Sequence, residues 1–534
     1  MKTSIKIKYP IPLLWNKHPH HFQLLFLLIL IVSGCRTNPS ITPLVPAENA
    51  SSTASPEATE IPSTPTAIPY TETPSPTPTP TFTPTPTLSP TPIDFSQPSY
   101  SHMGIELTGG NFVQKVPLAA EAGAGWVRWN GILWSDIEPL EGLRYWENAG
   151  RLEARALAVS EAGMNLIAII RRTPAWAQAV PGYFCGPVHP EKLEAFGLFM
   201  YDLVARYSQP PYNIKYWEIG NEPDIAPAIS APDNVYGCWG DDTDPYYGGP
   251  YYGEMLKVVY PFIKAADPEA QVLVGGLLLF CDPANPPVSA SGEPADCTPA
   301  RFLEGILKGG GGPYFDGVSF HAYDYYYFKE NAYGNTTWKN IYGENSLIPV
   351  SLMKADYLQN LLAQYGYPEK YLLNTETALL CGRDLGEPEC RTDIFETTKA
   401  NYVAQSYAVA KAEGFRANIW YHYQEGWRAS GLTNGFLQPF PALNAFQFAA
   451  RFLDNAFYWN TILEYEKLFG YKFLKEGPEG DVQEVWIIWS LDGSTFSLIL
   501  PDHPLAVYNV FGEPLPPGQA LEVTGAPVYI EWSP

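Results

Sequence analysis

Hydrophobic and polar positions divide the chain into regions of different period. Over residues 100–455, short apolar or β-branched runs alternate with stretches whose apolar positions recur at helical spacing. Eight runs predict strands, at 102–107, 125–130, 165–170, 214–220, 271–278, 315–323, 370–375 and 418–423. Several, such as Leu166-Ile167-Ala168-Ile169-Ile170, are apolar at every position, as parallel strands buried on both faces must be. Between them 152–162, 190–207, 252–266, 352–365 and 397–413 read as amphipathic helices. Such alternation implies a parallel sheet, and eight units over this length predict an α/β fold of the (β/α)8 TIM-barrel type with enlarged loops. A doubly wound open sheet is the rival. It lacks the Gly-x-Gly-x-x-Gly turn after the first strand, where Leu107-Thr108-Gly109-Gly110 leads to Asn111.

Beyond Asp454 the apolar period falls to two. Runs at 470–475, 482–490, 495–500, 505–511 and 520–532, separated by turns such as Leu491-Asp492-Gly493, predict a small β-sandwich over 456–534. Trp459, Trp486, Trp489 and Trp532 fall in this region, where packing is a commoner use of tryptophan than sugar stacking.

The first hundred residues carry neither period. Residues 1–34 hold Lys2, Lys6, Lys8 and Lys17, no acidic residue, and an apolar run at 24–32, which together make a secretory signal. Nine apolar residues are too few to span ~30 Å of hydrocarbon as a helix. Val32-Ser33-Gly34-Cys35 resembles the lipobox of bacterial lipoproteins, which implies lipidation of Cys35 and an extracytoplasmic chain anchored to the membrane at the cell surface. Of the 57 residues at 36–92, 15 are proline and most others Thr, Ser or Ala. With so few large apolar groups, 35–99 is expected to be an extended, disordered tether.

Charge narrows the partners. The chain has 56 Asp+Glu against 33 Lys+Arg, a net −23, and lacks the clustered basic residues that phosphate backbones demand, so nucleic acid is not an expected partner. The same acidity disfavours polyanionic substrates and leaves the lipid anchor as the expected membrane contact. Six cysteines follow Cys35, an even number that favours disulfides in an exported protein. Fifteen pairings exist for six cysteines; short separations favour Cys281–Cys297 and Cys381–Cys390, leaving Cys185–Cys238. With no Cys-x-x-Cys pair, no metal site is expected.

Barrels of this type place chemistry at the carboxyl ends of their strands. The fourth run ends in Asn221-Glu222-Pro223 and the seventh in Thr375-Glu376-Thr377, so two glutamates can face each other across the mouth. Glycosidic cleavage needs such a pair, one carboxyl protonated and one ionised. The stretch Trp217-Glu218-Ile219-Gly220-Asn221-Glu222-Pro223 resembles the strand-four motif of clan A retaining glycoside hydrolases, most closely family 39 and next family 5. That resemblance implies Glu222 as acid/base, Asn221 on the sugar 2-hydroxyl, Glu376 as nucleophile, Arg128 supporting it, and His321 with Tyr323 as the strand-six His-x-Tyr. It implies a carbohydrate substrate, β-linked xylosides or related sugars, and no metal or organic cofactor; with the net acidity, neutral poly- or oligosaccharides are the expected substrates. The family departs from this chain at strand eight, where Trp420 and Trp427 compete for one sugar-stacking platform; Trp427 is the candidate in the loop. Glu218 and Glu425 are rival acids, Glu218 lying deep in the strand. A non-catalytic glycan-binding lipoprotein and a transglycosylase using the same residues are the alternative readings. A monomer is the expected state.

Overall fold

The computed structural model describes residues 101–533 apart from 233, 235, 290, 329–330, 382–389, 391, 478–479, 517 and 519. The expected signal, Cys35 and the proline-rich tether lie outside the described residues.

Eight parallel strands close on themselves. In chain order they are Met103–Glu106, Trp126–Leu133, Asn165–Arg171, Tyr216–Asn221, Gln271–Leu277, Gly317–Tyr327, Tyr371–Leu380 and Ala417–Trp420, and each pairs in parallel with its sequence neighbours, the first with the last. Closure removes every open edge. Helices return the chain between strands, among them Phe112–Glu121, Gly150–Glu161, Leu193–Tyr207, Gly249–Ala266, Phe302–Lys308, Val350–Gln364, Asp393–Ala412 and Pro441–Phe452. Within the barrel Trp126, Ile167, Leu273, Leu373, Ala417 and Ile419 fill the bore as a small apolar plug, separate from the large core between strands and helices. The bore is therefore packed below and polar above.

Two strands outrun their expected ends. The sixth continues to Tyr327 because the short strand Ala332–Gly334 folds back on it antiparallel, and the seventh continues beside it to Leu380. Glu376 consequently sits within a strand, at the register position of His321, rather than just beyond the strand's end.

The carboxyl-terminal region packs one sheet on another. Phe457–Ile462, Leu468–Glu476, Val482–Ser490, Val528–Glu531 and Ala506–Tyr508 form an antiparallel five-stranded sheet in that order, and Phe496–Ile499 pairs with Ala520–Val523 in a second. The single strand expected at 520–532 is two, broken by the turn around Gly525 and Pro527, and Phe457–Ile462 was not foreseen because three consecutive exposed residues interrupt its alternation. Alternation along Val482–Ser490 explains the tryptophans. Trp489 faces the barrel and donates to the Leu347 carbonyl at 2.8 Å, whereas Trp486 faces the second sheet and packs edge-on against Trp532, with ring centroids 4.8 Å apart. Trp459 alone of the four is exposed, at 38%. No described helix is long and apolar enough to cross a membrane.

Three disulfides join Cys185 to Cys238, Cys281 to Cys297 and Cys381 to Cys390, with Cα separations of 5.1, 5.4 and 5.6 Å. All lie in loops that follow the carboxyl ends of barrel strands three, four, five and seven.

Candidate active site

One buried cation organises the mouth of the barrel. Side chains alternate along Trp126–Leu133, so Trp126 and Arg128 both point inward, Trp126 into the apolar plug and Arg128 one layer higher. Arg128 has no solvent exposure, and a guanidinium so placed must find partners for its donors. Its Nη1 donates to Glu106 Oε2 at 3.0 Å and Glu376 Oε1 at 2.5 Å. Its Nη2 donates to Glu218 Oε1 and Asn221 Oδ1, each at 2.6 Å. Strands one, four and seven thus deliver three carboxyl groups to one arginine. Burial opposes the charge of Arg128, but Glu218, Glu376 and Glu106 together raise its pKa well above the ordinary value.

Glu222 stands where the fourth strand turns out of the sheet. Gly220 and Glu222 both adopt left-handed backbone, φ 85° and 47°, and the Glu222 amide donates to the Gly276 carbonyl at 2.9 Å. Such a φ is uncommon for glutamate and marks a residue fixed by its surroundings. Glu222 Oε1 lies 2.9 Å from His321 Nδ1, while His321 Nε2 lies 3.4 Å from Arg128 Nη2. An arginine only donates. Nε2 is therefore the acceptor, the ring hydrogen sits on Nδ1, and Nδ1 donates to Glu222 Oε1, leaving Oε2 to carry an acid proton. His321 fits here because Gly276 has no side chain; a Cβ at that position would lie 2.2 Å from Nε2. Lys354, also buried, donates to the His321 carbonyl at 2.7 Å and fixes the strand behind it.

Glu376 is bound on both oxygens, Oε1 by Arg128 and Oε2 by the hydroxyl of Tyr323. An oxygen of Glu376 lies within 4.8 Å of an oxygen of Glu222. Burial, the Glu376 charge and then Asp224 push Glu222 well above the usual carboxylate range. Burial pushes Glu376 up too, but Arg128 and Tyr323 pull against it. His321 is held far below its ordinary pKa by burial and then by Arg128 and Lys354, so its imidazole is neutral. Two neighbouring carboxyls thus occupy environments that separate their proton affinities.

Glu222, His321 and Glu376 offer three ligand-type atoms within 4.8 Å of one another, a spacing a cation can use. The guanidinium of Arg128 already supplies positive charge to Glu376 at 2.5 Å, which weakens the donor set for a metal.

Of the residues singled out from sequence, Arg128, Asn221, Glu222, His321, Tyr323 and Glu376 come together. Trp427 joins them: its ring meets Tyr323 edge-on, with centroids 5.7 Å apart. Trp420 is fully buried and donates to the Ser430 carbonyl at 2.8 Å, which makes it core. Glu425 is an exposed loop residue accepting from the Gly435 amide. Glu218 is buried within its strand, as its position suggested, yet belongs to the network through Arg128. Glu106 was missed, although Gly104 and Glu106 share the inward face of strand one and Glu106 pairs in register with Arg128. Tyr421 and Tyr236 were missed as well; burial raises both phenols, and the charges of Glu376 and Glu222 add to it. No strand pattern flags such loop and strand-end tyrosines.

Neither a protein-family model nor a curated protein matches the chain. Solved structures do. A family 39 glycoside hydrolase from the gut symbiont Bacteroides cellulosilyticus WH2 superposes with a TM-score of 0.59 at 19% identity, over 83% of each chain. A conserved exported protein from Bacteroides fragilis gives 0.52 at 11% identity, over 81% of this chain and 98% of that one. The family 30 subfamily 8 xylanase Xyn30A from Clostridium acetobutylicum gives 0.51 at 12% identity, over 81% and 96%. At such identities the likeness is one of architecture: this chain has the barrel-plus-sandwich fold of clan A glycoside hydrolases.

Proposed function

We propose that the protein is a retaining glycoside hydrolase that cleaves O-glycosidic, β-linked bonds in poly- or oligosaccharides, with Glu376 as nucleophile and Glu222 as acid/base. The observation that carries this reading is the pair of buried carboxyls within 4.8 Å of each other, one gripped by Arg128 and Tyr323 and the other hydrogen-bonded to a neutral histidine. Retaining enzymes space their carboxyls by ~5–5.5 Å and inverting ones by ~6.5–9.5 Å, where a water must fit between. The fold shared with glycoside hydrolases supports the same reading.

In the first step an oxygen of Glu376 bonds to the anomeric carbon while the glycosidic C–O bond breaks, and the Glu222 proton passes to the leaving oxygen. The charge on Glu376 is then spent in an ester. Its push on Glu222 disappears, and Glu222 becomes a base able to take a proton from water as that water attacks the anomeric carbon and Glu376 departs. In this reading Asn221, held by Arg128, meets the 2-hydroxyl, and Trp427 beside Tyr323 stacks on the sugar. The three disulfides fit an oxidising, extracytoplasmic setting, to which a lipid on Cys35 would tether the enzyme.

The test is Glu376→Gly assayed on activated aryl glycosides. Turnover should be lost and partly restored by azide, with a glycosyl azide of inverted configuration as product. A variant that keeps near-normal activity overturns the assignment.

A further inference from the structure

Beside the catalytic carboxyls lies a second, small cleft between the ends of strands three and four, with about 30 Å³ of enclosed room, space for a substituent group. Its lining includes Arg171, Arg172, Gly220, Tyr236 and Trp239. Successive side chains of a strand point to opposite faces. Arg171 ends its strand and Arg172 adopts φ 70°, and that left-handed turn brings two consecutive arginines to the same cleft. Neither guanidinium forms a hydrogen bond or ion pair with any described residue, and the Nε of each is buried without a partner. Arg172 lies over the ring of Phe184 at 4.8 Å, a contact that fixes its plane but satisfies no donor. Burial, followed by the like charge of Arg172, draws Arg171 down to about 10, with exposed Asp136 the one acid acting the other way.

Two adjacent cations, both half-buried and each without a hydrogen-bonding or ion-pair partner among the described residues, repel one another, so this arrangement asks for an anion. The cleft is also rigid. The Cys185–Cys238 disulfide ties its two walls, the Cys238 amide donates to the Cys185 carbonyl at 2.9 Å, and Thr173 Oγ1 donates to the Gly186 carbonyl at 2.8 Å. It abuts the reacting centre, since Gly220 is two residues from Glu222 and the phenol of Tyr236 feels the charges of Glu222 and Glu376. Tyr236 and Trp239 are half-buried, leaving aromatic surface for a pyranose.

We propose that this cleft receives the anionic substituent of a bound sugar, a carboxylate or a sulfate ester, which Arg171 and Arg172 clamp while the scissile bond lies between Glu222 and Glu376. The inference rests on the glycosidase reading in placing a glycan there. It refines the substrate against the direction suggested by net charge, because a local field and not the total charge decides what a cleft attracts.

The test measures binding rather than turnover. The intact chain is titrated, at fixed ionic strength and by ligand-observed NMR, with glucuronate against glucose, galactose 6-sulfate against galactose, and inorganic sulfate. One of the acidic sugars should bind about tenfold more tightly than its neutral parent, as charge-assisted hydrogen bonds to arginine provide. The pair that shows the advantage identifies carboxylate or sulfate as the group recognised. Arg171→Gln and Arg172→Asn should each lose part of that advantage and the double variant all of it; asparagine tolerates the left-handed backbone, and an unchanged melting temperature certifies the fold. Equal binding of acidic and neutral sugars overturns the proposal, as does an advantage that survives in the double variant. Inorganic sulfate binding as tightly as the sugars also overturns it, because the site would then recognise an anion and not a glycan. Glu376→Gln should keep the preference while losing turnover. If wild-type hydrolysis occurs without any acidic preference, the subsite alone fails; if the preference is found but Glu376→Gly stays active, the catalytic assignment alone fails.

Discussion

Glu106→Gln is the sharpest probe of the buried charge network. Arg128 Nη1 is shared between Glu106 Oε2 and Glu376 Oε1, so the proton on Glu106 decides how much of the arginine's charge is left for Glu376. Burial raises Glu106 from 4.5 to about 8 despite the pull of Arg128, which keeps it neutral near pH 7. The sign follows from linkage. Below 4.5 both folded and unfolded chains hold the proton; between there and about 8 only the folded chain does, so rising pH favours the unfolded state and wild-type stability falls. At about 1.36 kcal/mol per pH unit, this one group removes roughly 3 kcal/mol between about pH 5 and about pH 7.5. Glutamine keeps an oxygen for Arg128 and never ionises. Urea denaturation of both proteins at the two pH values should therefore show the variant gaining about 3 kcal/mol on the wild type as pH rises. The alkaline limb of activity should also move upward in the variant, because no second carboxylate then competes for Arg128. Stability curves that stay parallel over this range would refute the neutral Glu106 and with it the sharing of Arg128.

Other consequences follow from the same packing. Trp427→Ala should raise KM for oligosaccharides with little loss of stability, while Trp420→Ala should cost about 3–5 kcal/mol in denaturation, as buried tryptophans do; the reverse pattern would exchange their roles. Replacing Cys185 and Cys238 by serine opens a loop with a sequence separation of 53 residues, which by loop-closure entropy should cost about 4 kcal/mol in denaturation and, in limited proteolysis, make that loop easier to cleave. Gly276→Ala should depress kcat while leaving the fold measurable by circular dichroism, because its Cβ would meet His321 Nε2 at 2.2 Å and displace the ring that contacts Glu222.

The architecture was legible because periodicity encodes it. All eight barrel strands fall where apolar or β-branched runs place them, since strands buried on both faces are apolar at most positions, the polar exceptions being those that face the mouth. Strand ends were less legible. The extension of strands six and seven depends on Ala332–Gly334 folding back, a long-range pairing with no local signature. In the sandwich, Phe457–Ile462 exposes three consecutive residues, Tyr458, Trp459 and Asn460, and so lacks the alternation that reveals a half-buried strand. Glu222 and Glu376 stood out because strand ends in a barrel are informative positions, and Arg128 because the family resemblance implied an arginine on strand two supporting the nucleophile. Glu106 stayed hidden: in sequence it is one acid among 56 acidic residues, and its meaning arises only when register sets it opposite Arg128.

The same limit bears on what composition can say about charge at the site. A net of −23 sums over a surface on which most acids are solvated, screened and far from the mouth. At the mouth, burial rewrites the count. Glu222 and Glu106 hold protons, Glu376 and Glu218 are matched against Arg128, and Arg171 and Arg172 stand without a partner among the described residues a few side chains away. An acidic protein can thus present a cleft with excess positive charge, provided the arginines are placed where water is too scarce to screen them. The anion they await is most economically part of the substrate, because a free counter-ion would have to leave whenever a glycan entered, whereas a uronate or sulfated sugar brings its neutralising charge and its binding geometry together.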